Sequence, residues 1–82
     1  MTYDTRNRIL HIKNDKQVKL SKIEEKLLVC LSRNVAVSYE EINEYVRGTN
    51  LSRTMKSLNE KGLKIERLRG YGLRLVDEIY FE

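Results

Sequence analysis

At two places, Ser21–Glu24 and Ser38–Glu41, the spacing Ser-x-x-Glu stands just ahead of apolar residues with a helical repeat. In this pattern the serine hydroxyl accepts from the backbone N–H three residues on, and the glutamate reaches back to the serine N–H. Two of the four donors left over at a helix start are then satisfied. Two helices are therefore expected to begin at these serines, with only the short extended link "NVAV" ahead of the second.

In "LSKIEEKLLVCLSRN" the residues Ile23, Leu27, Cys30 and Leu31 recur along one side, which predicts a first helix ending near Asn34. "YEEINEYVRG" carries Ile42, Tyr45 and Val46 to a glycine stop, a brief second helix. Only "GTN" separates it from "LSRTMKSLNEKG", where Leu51, Met55 and Leu58 form a stripe at i, i+4 and i+7 and Gly62 closes a third helix. At about 100° per residue, Arg53, Lys56, Ser57 and Glu60 gather opposite that stripe, an outward polar face with two long cations.

Outside the helices the repeat changes to alternation. "RILHIKNDKQVKL" puts Leu10 and Ile12, then Val18 and Leu20, on one face around a reversal at Asn14-Asp15. "KIERL" and "LRLV" flank "RGYG", a second hairpin in which Gly70 and Gly72 ease a tight turn, Leu73 and Leu75 face inward and Arg74 faces outward. The expected fold is α+β in the order ββ-α-α-α-ββ. With no proline, low-complexity tract or repeat, residues 1–82 are expected to form one domain.

One cysteine and one histidine supply neither an intramolecular disulfide nor the ligands of a structural zinc site, so no metal or cofactor is expected. There is no Gly-x-Ser-x-Gly, no phosphate-cradling Gly-x-x-x-x-Gly-Lys and no second histidine or cysteine for a catalytic dyad, so the chain does not read as an enzyme. No apolar run approaches the ~20 residues of a membrane span, and "MTYDTRNRIL" lacks the apolar core of a secretory signal. A cytoplasmic location without membrane contact is expected.

Net charge is +4, but residues 47–74 hold eight Lys/Arg against Glu60 and Glu66, a local balance of +6 that leaves −2 for the rest. Such a basic segment on a near-neutral domain is the footprint of a polyanion, nucleic acid first.

Three helices followed by a basic β-hairpin is the winged-helix plan, a helix-turn-helix variant whose third helix reads the major groove. "YDTRNRILHIKNDKQVKLS", "KIEEKLLVCLSRN", "VSYEEINEYVRG" and, most specifically, "IERLRGYGLRL" resemble the DNA-binding effector domain of OmpR/PhoB-type response regulators. In that family an amino-terminal sheet precedes a leucine-rich first helix, and the wing ends in Arg-Gly-x-Gly-Tyr-Arg. The resemblance covers nearly the whole chain. It implies a sequence-specific DNA-binding transcriptional regulator, two copies of which occupy paired half-sites on double-stranded DNA.

Two departures stand out. Arg47 occupies a position where the family usually has tryptophan. The family's long loop between the second and third helices, implicated in touching RNA polymerase, is here "GTN", far too short for that contact. No receiver domain is present, which fits an excised effector domain, the amino-terminal module of a ToxR-like protein or a free-standing small regulator.

For the third helix, Thr49 and Asn50 stand at the start, where either caps it and the free N–H groups favour a phosphate. Arg53, Lys56 and Ser57 are expected to face base edges, since arginine and lysine donate to guanine O6/N7 and serine adapts. Glu60 either accepts from cytosine N4 or pairs with Lys56, the intrahelical pair being the safer reading. In the hairpin, Arg67, Arg69, Tyr71 and Arg74 are expected to reach the DNA backbone or minor groove, Arg69 and Tyr71 foremost, although the family's tyrosine lies where this chain has Leu73. Cys30, Met55 and Tyr45 are expected in the core and His11 pointing outward from its strand.

Two other functions fit the same residues. One is a protein-interaction module, or an antagonist of a regulator, that uses the apolar tail at Ile79, Tyr80 and Phe81. The other is a non-specific nucleic-acid binder, which shares the charge but not the discrimination.

Overall fold

The computed structural model describes residues 1–13, 15–48 and 50–82. The elements run β1 (Thr2–Asp4), β2 (Ile9–Ile12), β3 (Lys16–Lys19), α1 (Lys22–Leu31), β4 (Val37–Ser38), α2 (Tyr39–Tyr45), α3 (Leu51–Glu60), β5 (Ile65–Leu68), β6 (Gly72–Leu75) and β7 (Tyr80–Phe81). The described residues form an α+β fold, with three helices and two sheets.

Each helix starts on a side-chain cap. Ser21 Oγ accepts from Glu24 N at 3.2 Å while Glu24 Oε1 accepts from Ser21 N at 2.8 Å, so the full reciprocal box forms at α1. At α2 only half of it forms: Ser38 Oγ accepts from Glu41 N at 3.2 Å, and the Glu41 carboxylate turns to Arg33 at 3.4 Å. Asn50 Oδ1 caps α3 by accepting from Arg53 N at 3.1 Å, whereas Thr49, the other candidate cap, lies outside the described residues.

The first helix ends at Leu31 rather than near Asn34. Asn34 adopts the left-handed φ of 56° and donates its backbone N–H to Leu31 O at 3.1 Å. Its side-chain amide donates to Leu75 O at 2.9 Å and Asp77 O at 2.7 Å, so an asparagine does what glycine does at many helix ends and also ties the end down.

Both expected hairpins form, β2 with β3 and β5 with β6, and among the described residues three further strand pairings extend them into two sheets. One sheet has the order β3-β2-β1-β7, with β7 parallel to β1; the other has the order β4-β6-β5. The strands missing from the sequence reading are two or three residues long, too short to show a period. The β2–β3 pairing puts Leu10 opposite Val18, as alternation requires, while Asn14 of its reversal lies outside the described residues.

The core draws Tyr3, Leu10 and Leu20 from the four-stranded side, Leu27, Leu28 and Leu31 from α1, Ile42 from α2, Leu58 from α3, and Leu73 and Leu75 from β6. Cys30 and Met55 are buried with them. Tyr45 is not: Ile42 of this seven-residue helix and Val46, the capping residue just past it, face the core, and the tyrosine stands 46 % exposed at the helix end.

The apolar tail is a strand. Tyr80 N donates to Met1 O at 2.9 Å, Ile79 is buried, and the Phe81 ring meets the Tyr3 ring edge-on with centroids 5.9 Å apart. Tyr80 and Phe81 keep exposed faces, but the segment is held by the sheet rather than free. Among the described residues, no helix is long and apolar enough to cross a membrane.

Candidate nucleic-acid interface

Helix α3 buries Thr54, Met55 and Leu58. Thr54 Oγ1 donates back to Asn50 O at 3.2 Å, which satisfies the hydroxyl and lets this polar residue join the inner face. Including Thr54 turns the buried arc, and the outward face becomes Ser52, Arg53, Lys56, Asn59 and Glu60. Ser52 and Asn59 were not among the expected residues. A helical wheel centred on Thr54 as well as on the apolar stripe places them on this face.

Ser57 departs from expectation. It is half-buried, and its Oγ donates to Glu24 Oε2 of α1 at 2.6 Å, so it faces the protein and not a base edge. The other oxygen of Glu24 takes Lys61 Nζ at 2.7 Å, and Lys61 also donates to Lys19 O at 3.0 Å. Burial on its own raises the pKa of the Glu24 carboxyl, but hydrogen bonds from Lys61, Ser57 and Ser21 outweigh it and hold the pKa at about 2. The carboxylate is therefore charged at neutral pH, and it fixes α3 against α1 through two donors one turn apart.

Glu60 forms no ion pair with Lys56, contrary to the safer reading. A lysine placed four residues before a glutamate is the weaker orientation of such a pair, and both side chains are solvent-exposed.

The β5–β6 register decides which hairpin cations are available. Glu66 stands directly opposite Arg74, and Arg74 Nη2 lies 2.8 Å from Glu66 Oε2, so Arg74 faces outward as expected but its charge is answered within the hairpin. Arg67 stands opposite the buried Leu73 and therefore shares the inner face of the hairpin. From there it lines an open groove of about 380 Å³ together with Ser52, Met55, Lys56, Asn59 and Glu60 of α3.

Arg69 and Tyr71 occupy the tip. Tyr71 N donates to Leu68 O at 3.0 Å across a four-residue turn, and Gly70 takes the φ of 75° that a type II turn needs at its third position. Tyr71 O accepts from Tyr39 N at 2.9 Å, so the backbone is anchored on both sides while the ring stands 53 % exposed. Gly72 has a different reason to be glycine: an added Cβ would lie 1.8 Å from Val37 O of β4. Close approach of a neighbouring strand requires it, not the turn.

Of the eight Lys/Arg in residues 47–74, Lys61 and Arg74 are paired with carboxylates. Arg47, Arg53, Lys56, Lys64, Arg67 and Arg69 form no ion pair among the described residues. Three of these, Arg53, Lys56 and Arg67, lie on or beside the outward face of α3, and Arg69 projects from the hairpin tip. No family model and no curated protein matches the chain.

Proposed function

We propose that the protein is a winged helix-turn-helix regulator that binds double-stranded DNA sequence-specifically, of the kind that the OmpR/PhoB-type effector domains exemplify. In this reading α3 enters the major groove with Arg53 and Lys56 toward base edges, and the β5–β6 hairpin is the wing, bringing Arg69 and Tyr71 to the adjoining backbone or minor groove. Asn50 caps α3 and leaves its first N–H groups beside a phosphate.

The observation that carries the reading is the groove where Lys56 and Arg67 approach from two separate elements without a carboxylate partner on either. A cationic cleft between a surface helix and a β-hairpin suits one strand of a duplex, since phosphate contacts supply affinity and base contacts supply discrimination. Two copies on paired half-sites would raise the selectivity of so small a module.

Selection of bound DNA from a random pool at two salt concentrations tests the proposal. An enriched motif that persists at the higher salt is expected, and its repeat spacing reports the half-sites. Binding without enrichment at either concentration would identify a non-specific nucleic-acid binder instead.

A further inference from the structure

Of the two acids in residues 47–74, Glu66 is held by Arg74, whereas Glu60 forms no ion pair among the described residues. It is the last residue of α3, where the partial negative charge of the helix terminus disfavours a carboxylate. It is exposed, and it lines the same groove as Lys56 and Arg67. On a surface built for phosphates, a carboxylate in that groove weakens binding to every duplex unless a particular base repays it.

Arg53, Lys56 and Glu60 lie within about 60° of one another on the helical wheel, on three successive turns. From Arg53 to Glu60 the helix rises ~10.5 Å, the height of about three base-pair steps. One row of side chains thus presents two donors followed by one acceptor.

Resting on the DNA-binding reading, we propose that Glu60 is a specificity-determining residue that accepts a hydrogen bond from the N4 amino group of cytosine in the major groove. Cytosine N4 is the base-edge donor suited to a lone carboxylate, whereas the O6 and N7 atoms of guanine offer only acceptors and repel it. Lys56 and Arg53, earlier in the row, favour guanine. The cognate half-site therefore contains a G·C-rich core in which one position demands cytosine, and Glu60 discriminates against all other DNA by repulsion as well as by contact.

The test compares selections from one random pool by the wild-type chain, Glu60→Ala and Glu60→Gln. The exposed position leaves the fold intact, which a thermal melt of each variant checks. Expected is a wild-type motif with one cytosine whose replacement weakens binding on the order of tenfold. Glu60→Ala loses preference at that position alone and binds non-cognate DNA more tightly than wild type, and Glu60→Gln shifts the preference toward adenine. A wild-type motif that both variants reproduce unchanged overturns the role of Glu60 and leaves the DNA-binding reading standing. No enriched motif for wild type overturns both.

Discussion

Ser57 of α3 donates its hydroxyl to the Glu24 carboxylate of α1 at 2.6 Å, one turn before Lys61 reaches the same carboxylate at 2.7 Å. The residue that a helical wheel offers as a base reader is thus a fastening. Ser57→Ala is expected to cost roughly 1–2 kcal/mol of stability by leaving the buried carboxylate short of a donor, with no change in base preference. Denaturant melts and a parallel DNA selection check both halves of that statement.

The same carboxylate gives the fold an acid-side signature. With a pKa of about 2 against an ordinary 4.5, Glu24 contributes stability that is fully present above pH ~4.5 and is lost as pH falls toward 2. The contribution is on the order of 3 kcal/mol. Glu24→Gln is expected to lower stability at pH 7 by ~2 kcal/mol, less than for a fully buried pair because Lys61 keeps 29 % of its side chain exposed. It should also flatten the stability profile between pH 4.5 and 2, read by urea unfolding at half-unit steps.

The two hairpin glycines separate by mechanism. Gly72→Ala drives a methyl group into Val37 O, a backbone atom that cannot swing aside, so β4 must leave β6. A loss of about 3 kcal/mol or more is expected. Gly70→Ala meets open space and strains only φ, so ~1–2 kcal/mol is expected. Chemical denaturation of the two variants side by side gives the comparison.

Arg69 and Arg74 lie on one hairpin but differ in what answers their charge. Arg69→Ala is expected to weaken binding to all DNA sequences similarly and to reduce the slope of log affinity against log salt by about one. Arg74→Ala should change that slope far less, because Glu66 already balances it at 2.8 Å. Equal slopes for the two variants would reject the assignment of the tip as the backbone contact.

Arg53→Ala is expected to relax selectivity at a single base by roughly 1–3 kcal/mol while the rest of the motif is kept. Competition binding with single-base variants of the selected site measures it.

The helix starts were legible because caps are local: Ser21, Ser38 and Asn50 each act on an amide three residues away. The ends were less so, since Asn34 stops α1 through carbonyls of Leu75 and Asp77, more than forty residues distant. Alternation located Leu73, Leu75 and the outward Arg74, yet the neutralisation of Arg74 depends on a register that puts Glu66 directly opposite. Ser57 looked like a surface residue because Glu24, which draws it in together with Lys61, belongs to another helix and reads first as half of a capping box. What a wheel of α3 alone could not show was a polar inner edge, Thr54 and Ser57, that rotates the outer face toward Ser52 and Asn59.

Strands β1 and β7 run side by side in the same direction, and the amino group of Met1 donates to Glu78 O at 3.2 Å while Thr5 Oγ1 donates to Glu82 O at 2.9 Å. The first and last strands of this chain are therefore neighbours on a single sheet, yet because they are parallel they release the chain in opposite directions: Met1 lies beside Glu78 where the pair starts, and Glu82 lies beside Tyr3 and Thr5 where it finishes. A segment joined ahead of Met1 and one joined after Glu82 would thus leave the same sheet from opposite ends of one strand pair.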